Sequence, residues 1–357
     1  KEILNFFNQL NSSKTYTQGK FLLEFENQLS AYLKVKNSLV VTNAVSAMSM
    51  IVDVLDLKEK HEIIIPAHTY LASAYPFLKK TSKIKWADID INTRVTNLEF
   101  IKNKFTKYTK VIVVVHLYGY MVDVKPIADF AKKNNIILIE DAAHALGAKY
   151  KGKPIGGLSD FSTFSFQAIK HFTTGDGGIL TIKNKKLEDK AKRIRWFGID
   201  RKKKQQGIWK NDVHEVGYKY QMTDIAATMG CDSLKEFNQI IRHRKKIYKT
   251  YLNELSKNKK VKCIHDYNKK KSHGAWLFTI SINNKDFVQR KLRDYNIETN
   301  QVHFRNDRYS IFKKYIKGKK FPNMDYLENR YLVLPLHHKV SVKDAKYISE
   351  LVNKYAK

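Results

Sequence analysis

Two stretches of this 357-residue chain carry side chains able to do chemistry. The first is Ile137-Leu-Ile-Glu-Asp141-Ala-Ala-His144, an apolar run that closes on acids. A strand of this kind delivers its last carboxylate to the carboxyl edge of a sheet, where open α/β folds bind ligands. There Asp141 can hold a metal, a ribose hydroxyl or a protonated ring nitrogen, or it can simply cap the next helix. The second stretch is Phe161-Ser-Thr-Phe-Ser165-Phe-Gln-Ala-Ile-Lys170-His-Phe-Thr-Thr-Gly175-Asp-Gly-Gly178, an aromatic and hydroxyl strand followed by a lysine and a glycine-rich turn. Apolar surroundings disfavour the ammonium form of a lysine and lower its pKa. The neutral amine is the form that attacks an aldehyde. The hydroxyls of Ser165, Thr173 and Thr174 suit a phosphate, and the glycines permit close backbone approach. In isolation, a lysine that merely reaches solvent from a strand edge has the same signature.

The elements that must position these groups follow from hydrophobic spacing. Helices are expected over 21–33, 44–57, 69–80 and 125–133, and strands over 38–42, 62–65, 83–87, 111–116 and 136–140. Alternation of helices with largely apolar strands implies a parallel sheet covered on both faces. Beyond residue 236 the texture changes. A charged helix over 234–257 links to a smaller α+β unit holding a strand over 275–282 and helices over 285–295 and 340–355. The expected organisation is a large domain, 1–235, and a small C-terminal domain, 236–357, with one active site between them.

Composition narrows the functional classes. Hydrophobic residues make up 43% and charged residues 28%, which is an ordinary globular balance. No run of about 18 uncharged apolar residues is present, and the amino terminus, Lys1-Glu-Ile-Leu-Asn-Phe-Phe, lacks the apolar core of a signal peptide. Cys231 and Cys263 have neither disulfide-scaffold nor metal-ligand spacing, so no metal and a reducing cytoplasm are expected. Lys+Arg total 66 against 34 Asp+Glu, a net charge of +32. The excess lies in short lysine runs at 202–204, 259–260 and 269–271 amid heavy Asn and Ile usage, so it reads as a solvated basic surface. Such a field draws in anionic substrates. A basic nucleic-acid-binding protein is the competing reading, but no helix-turn-helix, zinc-ligand spacing or basic-aromatic RNA motif supports it.

Glu140-Asp-Ala-Ala-His-Ala-Leu-Gly147 and Ser165-Phe-Gln-Ala-Ile-Lys170-His-Phe-Thr-Thr-Gly-Asp-Gly-Gly178 together closely resemble the DegT/DnrJ/EryC1/StrS family of pyridoxal-phosphate-dependent nucleotide-sugar aminotransferases. The likeness begins at Gly19-Lys-Phe-Leu-Leu-Glu-Phe-Glu26 and runs through Pro66-Ala-His-Thr-Tyr70 and His116-Leu-Tyr-Gly119. It continues in Gly217-Tyr-Lys-Tyr-Gln-Met-Thr-Asp224 and closes at Leu334-Pro-Leu-His337. It implies an α/β fold of the fold-type-I, aspartate-aminotransferase-like kind, with a mixed, mostly parallel sheet and pyridoxal 5'-phosphate as cofactor. By resemblance, Lys170 carries the cofactor as a Schiff base and shuttles the proton, and Asp141 pairs with the ring nitrogen. Tyr70 stacks on the ring, and His144 lies near the ring face or its phenolic oxygen where relatives often have Gln. Ser165 serves the phosphate, together with backbone N–H groups where Val45 and Ser46 open a helix.

Departures are equally specific. Val45 stands where relatives usually place Thr, so only its main chain can reach a phosphate. Relatives supply an Asn from the partner subunit of a homodimer with shared active sites; here Lys219 and Gln221 are the candidates. His303 resembles the family's late substrate-binding His, but His303-Phe-Arg-Asn-Asp-Arg-Tyr309 lacks the common prolines. The implied reaction moves an amino group from an amino acid, glutamate by resemblance, to C4 or C3 of a nucleotide-linked keto 6-deoxyhexose, with C4 favoured. The product serves surface polysaccharide or glycan biosynthesis. Dehydratases of the same family replace the lysine by histidine. Here Lys170 is retained, and the flanking Ser165-Phe and Thr173-Thr-Gly-Asp-Gly-Gly fix the register against a slip onto His171.

Overall fold

The computed structural model describes residues 2–357 except 81–82, 202, 204–205, 209, 211, 267, 269 and 317–319, with side chains described from Asn8 onward. Lys202, Lys204 and Lys269 of the basic runs lie outside the described residues.

Seven strands build the central sheet: β1 (Ser38–Val41), β2 (Glu62–Pro66), β3 (Lys83–Ala87), β4 (Thr109–Val115), β5 (Ile137–Asp141), β8 (Phe161–Ser165) and β9 (Gly178–Ile182). A short hairpin, β6 (Lys149–Tyr150) and β7 (Lys153–Pro154), lies between β5 and β8. The sheet order is β1–β9–β8–β5–β4–β2–β3. The pairs from β8 through β5, β4 and β2 to β3 are parallel, and β9 runs antiparallel to both its neighbours. The sheet is thus mixed and mostly parallel, as expected. β-Branched residues fill β4, whose Val111 to Val115 are all buried, because both faces of the sheet are covered.

Helices pack on this frame. α1 (Glu2–Ser13) and α2 (Lys20–Leu33) lead into β1, and α3 (Ala44–Val54) follows it, packed on β9 and on α6 (Lys185–Arg195). The helix expected over 69–80 is instead two tight turns, Leu71–Ser73 and Tyr75–Lys80. Pro76, which lacks an N–H and crowds the preceding turn, does not allow a continuous α-helix there.

The charged helix expected from 234 begins ten residues earlier. This helix, α7 (Asp224–Leu255), follows α4 (Leu98–Lys102), α5 (Val124–Lys133) and α6. It starts at 224 because Thr223 caps it, its side chain accepting the Ala226 N–H at 3.2 Å. The expected division at 235/236 therefore falls inside one continuous helix. Near its start α7 packs on α2, where a Cβ on Gly230 would meet the Phe25 ring at 2.4 Å. Near its end it packs on α10 (Val342–Tyr355), with Asn353 donating to the Glu254 carbonyl at 3.3 Å.

Beyond α7, an antiparallel sheet joins β10 (Lys262–Cys263), β12 (Phe278–Ser281) and β13 (Tyr331–Leu334), with α8 (Lys285–Asp294) and α9 (Pro322–Glu328) beside it. Strand β11 (Lys271–Ser272) pairs instead with β6, tying the later part of the chain back to the first. The strand expected over 275–282 covers only Phe278–Ser281, because residues 274–277 form a loop that enters the site described next.

Candidate active site

The sheet register gathers the chemical residues at one edge. Val115, Asp141 and Ser165 end β4, β5 and β8; Gly178 opens the reversed strand β9 at the same edge, and Asn43 follows β1. Val115 pairs with Asp141, Asp141 with Thr163, and Gly178 with both Ser165 and Val41. A cavity of about 370 Å³ opens there. It is lined by seven residues singled out from the sequence: Val45, Tyr70, Asp141, His144, Ser165, Lys170 and His303.

Lys170 is half-buried in this cavity. Burial pulls its amine down to about 8, and the nearby Asp141 carboxylate opposes part of that fall. Its Nζ lies 4.1 Å from the centroid of the Trp276 ring, within cation–π range. The Trp276 indole N–H donates to the carbonyl of Ile169, the residue before the lysine, at 3.0 Å. Trp276 is in turn held by α7, for the Arg244 guanidinium donates to the carbonyls of Ala275, Trp276 and Leu336 at 2.9, 2.7 and 2.8 Å. His171 turns the other way. It is buried, its Nε2 meets the Gly274 carbonyl at 2.7 Å, and it does not line the cavity.

Asp141 is oriented at both oxygens. The Ser73 hydroxyl donates to Oδ2 at 2.6 Å, and the Ala143 N–H donates to Oδ1 at 3.1 Å. A carboxylate so fixed at the end of a cavity-lining strand suits a cationic or N–H-bearing partner. His144 stacks on Trp276, with ring centroids 3.8 Å apart and planes 12° apart. Its Nδ1 accepts the Tyr118 N–H at 3.3 Å. Burial, aided by Lys170, holds its pKa well below the ordinary imidazole range, so the ring is neutral. His303 lies 5.2 Å from the His144 ring and, like it, is neutral, its pKa lowered to about 3 by burial and by Lys170. Tyr70 stands at the rim, 49% exposed, 5.2 Å from the His303 ring.

The anion end of the cavity is the amino terminus of α3. Asn43 caps it, with Oδ1 accepting the Ser46 N–H at 2.8 Å, and the Ser46 hydroxyl meets Thr42 Oγ1 at 2.8 Å. The Ser46 N–H is therefore engaged by the cap, and Ser46 does not line the cavity. The helix opens at Ala44, as the spacing predicts, and the N–H groups of Ala44 and Val45 precede its first bond, from Ala47 to Asn43. Such groups, together with the helix dipole, favour an anion. Gly178 makes room for this approach: a Cβ there would stand 2.5 Å from Ala44 N and 2.5 Å from Asn43 C. Of the three hydroxyls named for phosphate, only Ser165 lines the cavity. Thr173 donates to the Phe166 carbonyl at 2.9 Å and Thr174 to the Asp176 carbonyl at 2.9 Å, so both brace the glycine turn.

Lys219 and Gln221 lie outside this cavity. Lys219 is exposed, its Nζ 5.9 Å from the Trp196 ring, and the Gln221 amide is engaged by Gln18. Sequence reasoning missed Ser73, Trp276 and Arg244. Ser73 follows Tyr70 by three residues on the same turn, a spacing that could have exposed it; Trp276 and Arg244 reach the site from distant segments.

A half-buried lysine of lowered basicity, an oriented strand-end carboxylate and a helix amino terminus around one cavity fit pyridoxal phosphate at its aldehyde, ring nitrogen and phosphate respectively. Fold and site together define a pyridoxal-phosphate enzyme. The DegT/DnrJ/EryC1/StrS aminotransferase family matches residues 1–353, and the chain belongs to it; its cofactor is pyridoxal phosphate. The UDP-4-amino-4,6-dideoxy-N-acetyl-beta-L-altrosamine transaminase of Campylobacter jejuni is 34% identical over 341 residues, covering 94% of this chain and 89% of that one. The GDP-perosamine synthase of Escherichia coli O157:H7 is 30% identical over 353 residues, covering 97% and 93%. Among solved structures, PseC of Helicobacter pylori, an aminotransferase involved in the biosynthesis of pseudoaminic acid, aligns with a TM-score of 0.91 at 25% identity, over 99% of this chain and 96% of that one.

Proposed function

We propose that this aminotransferase moves an amino group from glutamate to a keto carbon, C4 in preference to C3, of a nucleotide-diphospho-6-deoxyhexose, in the making of a surface polysaccharide or glycan. The observation that carries the reading is the Lys170 amine in the cavity beside Asp141, with the neighbouring His171 turned out to the Gly274 carbonyl. A dehydratase of this family needs histidine in the place that Lys170 holds. The 4-amino-4,6-dideoxy sugar in the name of the Campylobacter relative supports C4 and the 6-deoxy class.

When bound, pyridoxal phosphate supplies an aldehyde that takes up the donor's amino group and a ring that draws electron density from the reacting carbon. Lys170 Nζ would hold the aldehyde, and as a free amine it would carry the proton at the reacting carbon. Its lowered basicity lets the amine give and take a proton near neutral pH. Asp141 holds the ring nitrogen's proton, its carboxylate set by Ser73 and Ala143. The N–H groups of Ala44 and Val45 and the Ser165 hydroxyl hold the phosphate. Tyr70 would stack on the ring from the rim, His144 would lie near the ring face or its phenolic oxygen, and His303 would meet the sugar. One of Lys219 and Gln221, which lie outside their own chain's cavity, would reach the phosphate bound in the second copy of a homodimer. The net charge of +32 attracts the diphosphate. We place the protein in the cytoplasm, where Cys231 and Cys263 stay reduced. Among the described residues no helix is long and apolar enough to cross a membrane.

The test is a pair of half-reactions. Glutamate alone should bleach the yellow protein, and a panel of UDP-, GDP- and dTDP-linked 4-keto-6-deoxy sugars should restore the colour for one member and yield an amino sugar. An absorbance indifferent to glutamate, or a sugar product that has lost a hydroxyl and gained no nitrogen, sinks the proposal.

A further inference from the structure

Arg94 is a fully buried cation, and no carboxylate is among its hydrogen-bond or ion-pair partners in the described residues. It follows a turn built by Asp90, whose Oδ1 accepts the N–H groups of Asn92 and Thr93 at 2.8 and 3.0 Å, and its own backbone is left-handed at φ +61°. The guanidinium is flanked by two rings, 3.8 Å from the Tyr331 centroid and 4.6 Å from that of Tyr118. Its polar contacts are the Thr279 hydroxyl at 3.5 Å and His68 Nδ1 at 3.1 Å. Burying a charge is costly unless it is held by such contacts.

The contact with His68 fixes a tautomer. A guanidinium has only donors, so His68 Nδ1 must accept, and the proton of the neutral ring resides on Nε2. Burial and Arg94 together hold the His68 pKa well below the ordinary range, which agrees with a neutral ring. His68 Nε2 lies 3.2 Å from the His303 carbonyl and donates to it. The same carbonyl accepts the Tyr331 hydroxyl at 3.5 Å, and the carbonyl before it, of Val302, accepts the Tyr118 hydroxyl. Both rings that flank Arg94 thus grip the main chain at 302–303. His303 sits at φ +69°, a conformation that costs a non-glycine residue energy and persists only where its surroundings over-determine it. Its imidazole lines the cavity, and its buried Nε2 has no partner among the described residues.

We propose that Arg94 and His68 are positioning residues that lock the backbone of His303 in this left-handed state, so that its unpartnered ring nitrogen meets a hydroxyl or carbonyl oxygen of the acceptor sugar. The inference rests on the keto-sugar reading of the cavity. Arg94 acts through His68, and His68 through the His303 carbonyl; neither lines the cavity.

The experiment has two arms. In the first, the wild-type protein with 15N-labelled histidine is examined by NMR, the His68 signals being assigned by their loss in His68→Gln. The expected result is a neutral Nε2–H ring that stays neutral through the pH range where an ordinary imidazole titrates, since burial and Arg94 both oppose its charging. An Nδ1–H ring or a protonated one overturns the relay whatever the substrate proves to be. In the second arm, KM for the keto sugar should rise about tenfold in His68→Phe, with the sugar-independent glutamate bleaching rate changed less than about twofold. His68→Gln, whose amide can still donate to the His303 carbonyl, should stay within about threefold of wild type. Equal losses in both half-reactions, no rise in KM, or a Gln variant as impaired as the Phe variant each overturn the positioning role. If His68→Phe does not fold, the NMR arm and the Gln variant decide. If the keto-sugar reading is itself wrong, glutamate still bleaches the wild-type protein, no panel sugar restores it, and the NMR arm decides alone.

Discussion

The Lys170 amine lies against the Trp276 indole, Nζ 4.1 Å from the ring centroid, while the indole N–H reaches back to the carbonyl of Ile169 at 3.0 Å. One aromatic residue from the later part of the chain therefore contacts both the reactive amine and the backbone that carries it. The ring face favours the charged amine, and burial favours the neutral one.

The pH dependence of cofactor uptake follows. With its pKa lowered from 10.5 to about 8, Lys170 is half neutral near pH 8. Only the neutral amine attacks the aldehyde, so the rate at which cofactor-free protein takes up pyridoxal phosphate should rise with pH through a midpoint near about 8 and then level off. A stopped-flow series from pH 6 to 10 reads the midpoint, and a rate still climbing at the top of that range contradicts the lowered value.

Trp276→Leu removes the ring face that favours the ammonium. The same uptake midpoint should move to lower pH, by about 0.5–1 unit for a cation–π contact of typical strength. An unchanged or raised midpoint means that the contact does not set the lysine's protonation.

Asp141→Asn should keep the cofactor and lose most turnover, because a neutral amide cannot hold the ring nitrogen's proton; the loss is of the order of several kcal/mol in transition-state stabilisation. Ser73→Ala, which leaves the carboxylate in place but frees Oδ2, should cost about tenfold in the glutamate half-reaction. Near-normal rates in Asp141→Asn rule out the role.

Gly178→Ala tests the phosphate end. Its Cβ would fall 2.5 Å from the amide nitrogen of Ala44, so the start of α3 must shift and its N–H groups lose their aim. Pyridoxal phosphate should bind at least about tenfold more weakly, while pyridoxal, which lacks the phosphate, is affected less. An equal effect on both ligands places the phosphate elsewhere.

The shared site of the proposed homodimer is open to complementation. A Lys170→Ala chain mixed with a chain disabled at both Lys219 and Gln221 should recover one working site per hybrid dimer, since each contributes what the other lacks. Verified hybrids that stay inactive, or a monomer that turns over at full rate, exclude the arrangement.

What was legible in the sequence lay within single segments. Apolar strands ending in Asp141 and Ser165 announce a sheet edge, and the lysine and glycine turn that follow are continuous with them, so the order of residues already implied their nearness. The cap was not legible in the order of residues: Asn43 takes the Ser46 N–H, and the amides of Ala44 and Val45 precede the helix's first bond. Trp276, Arg244, Arg94 and His68 could not be read in this way. Each acts through partners distant in sequence, as when Arg94 meets Thr279 and His68 meets the His303 carbonyl. The helix expected over 69–80 failed for a local reason, Pro76, that apolar spacing alone does not weigh.

Everything proposed for the site turns on Lys170, among the many lysines of this basic chain, carrying the cofactor. The direct measurement is borohydride reduction of the reconstituted protein, followed by peptide mass spectrometry. A single stable pyridoxyl adduct is expected on the peptide containing Lys170, absent after Lys170→Ala. A wild-type adduct on another lysine, or a Lys170→Ala protein that still fixes the cofactor on reduction, contradicts it.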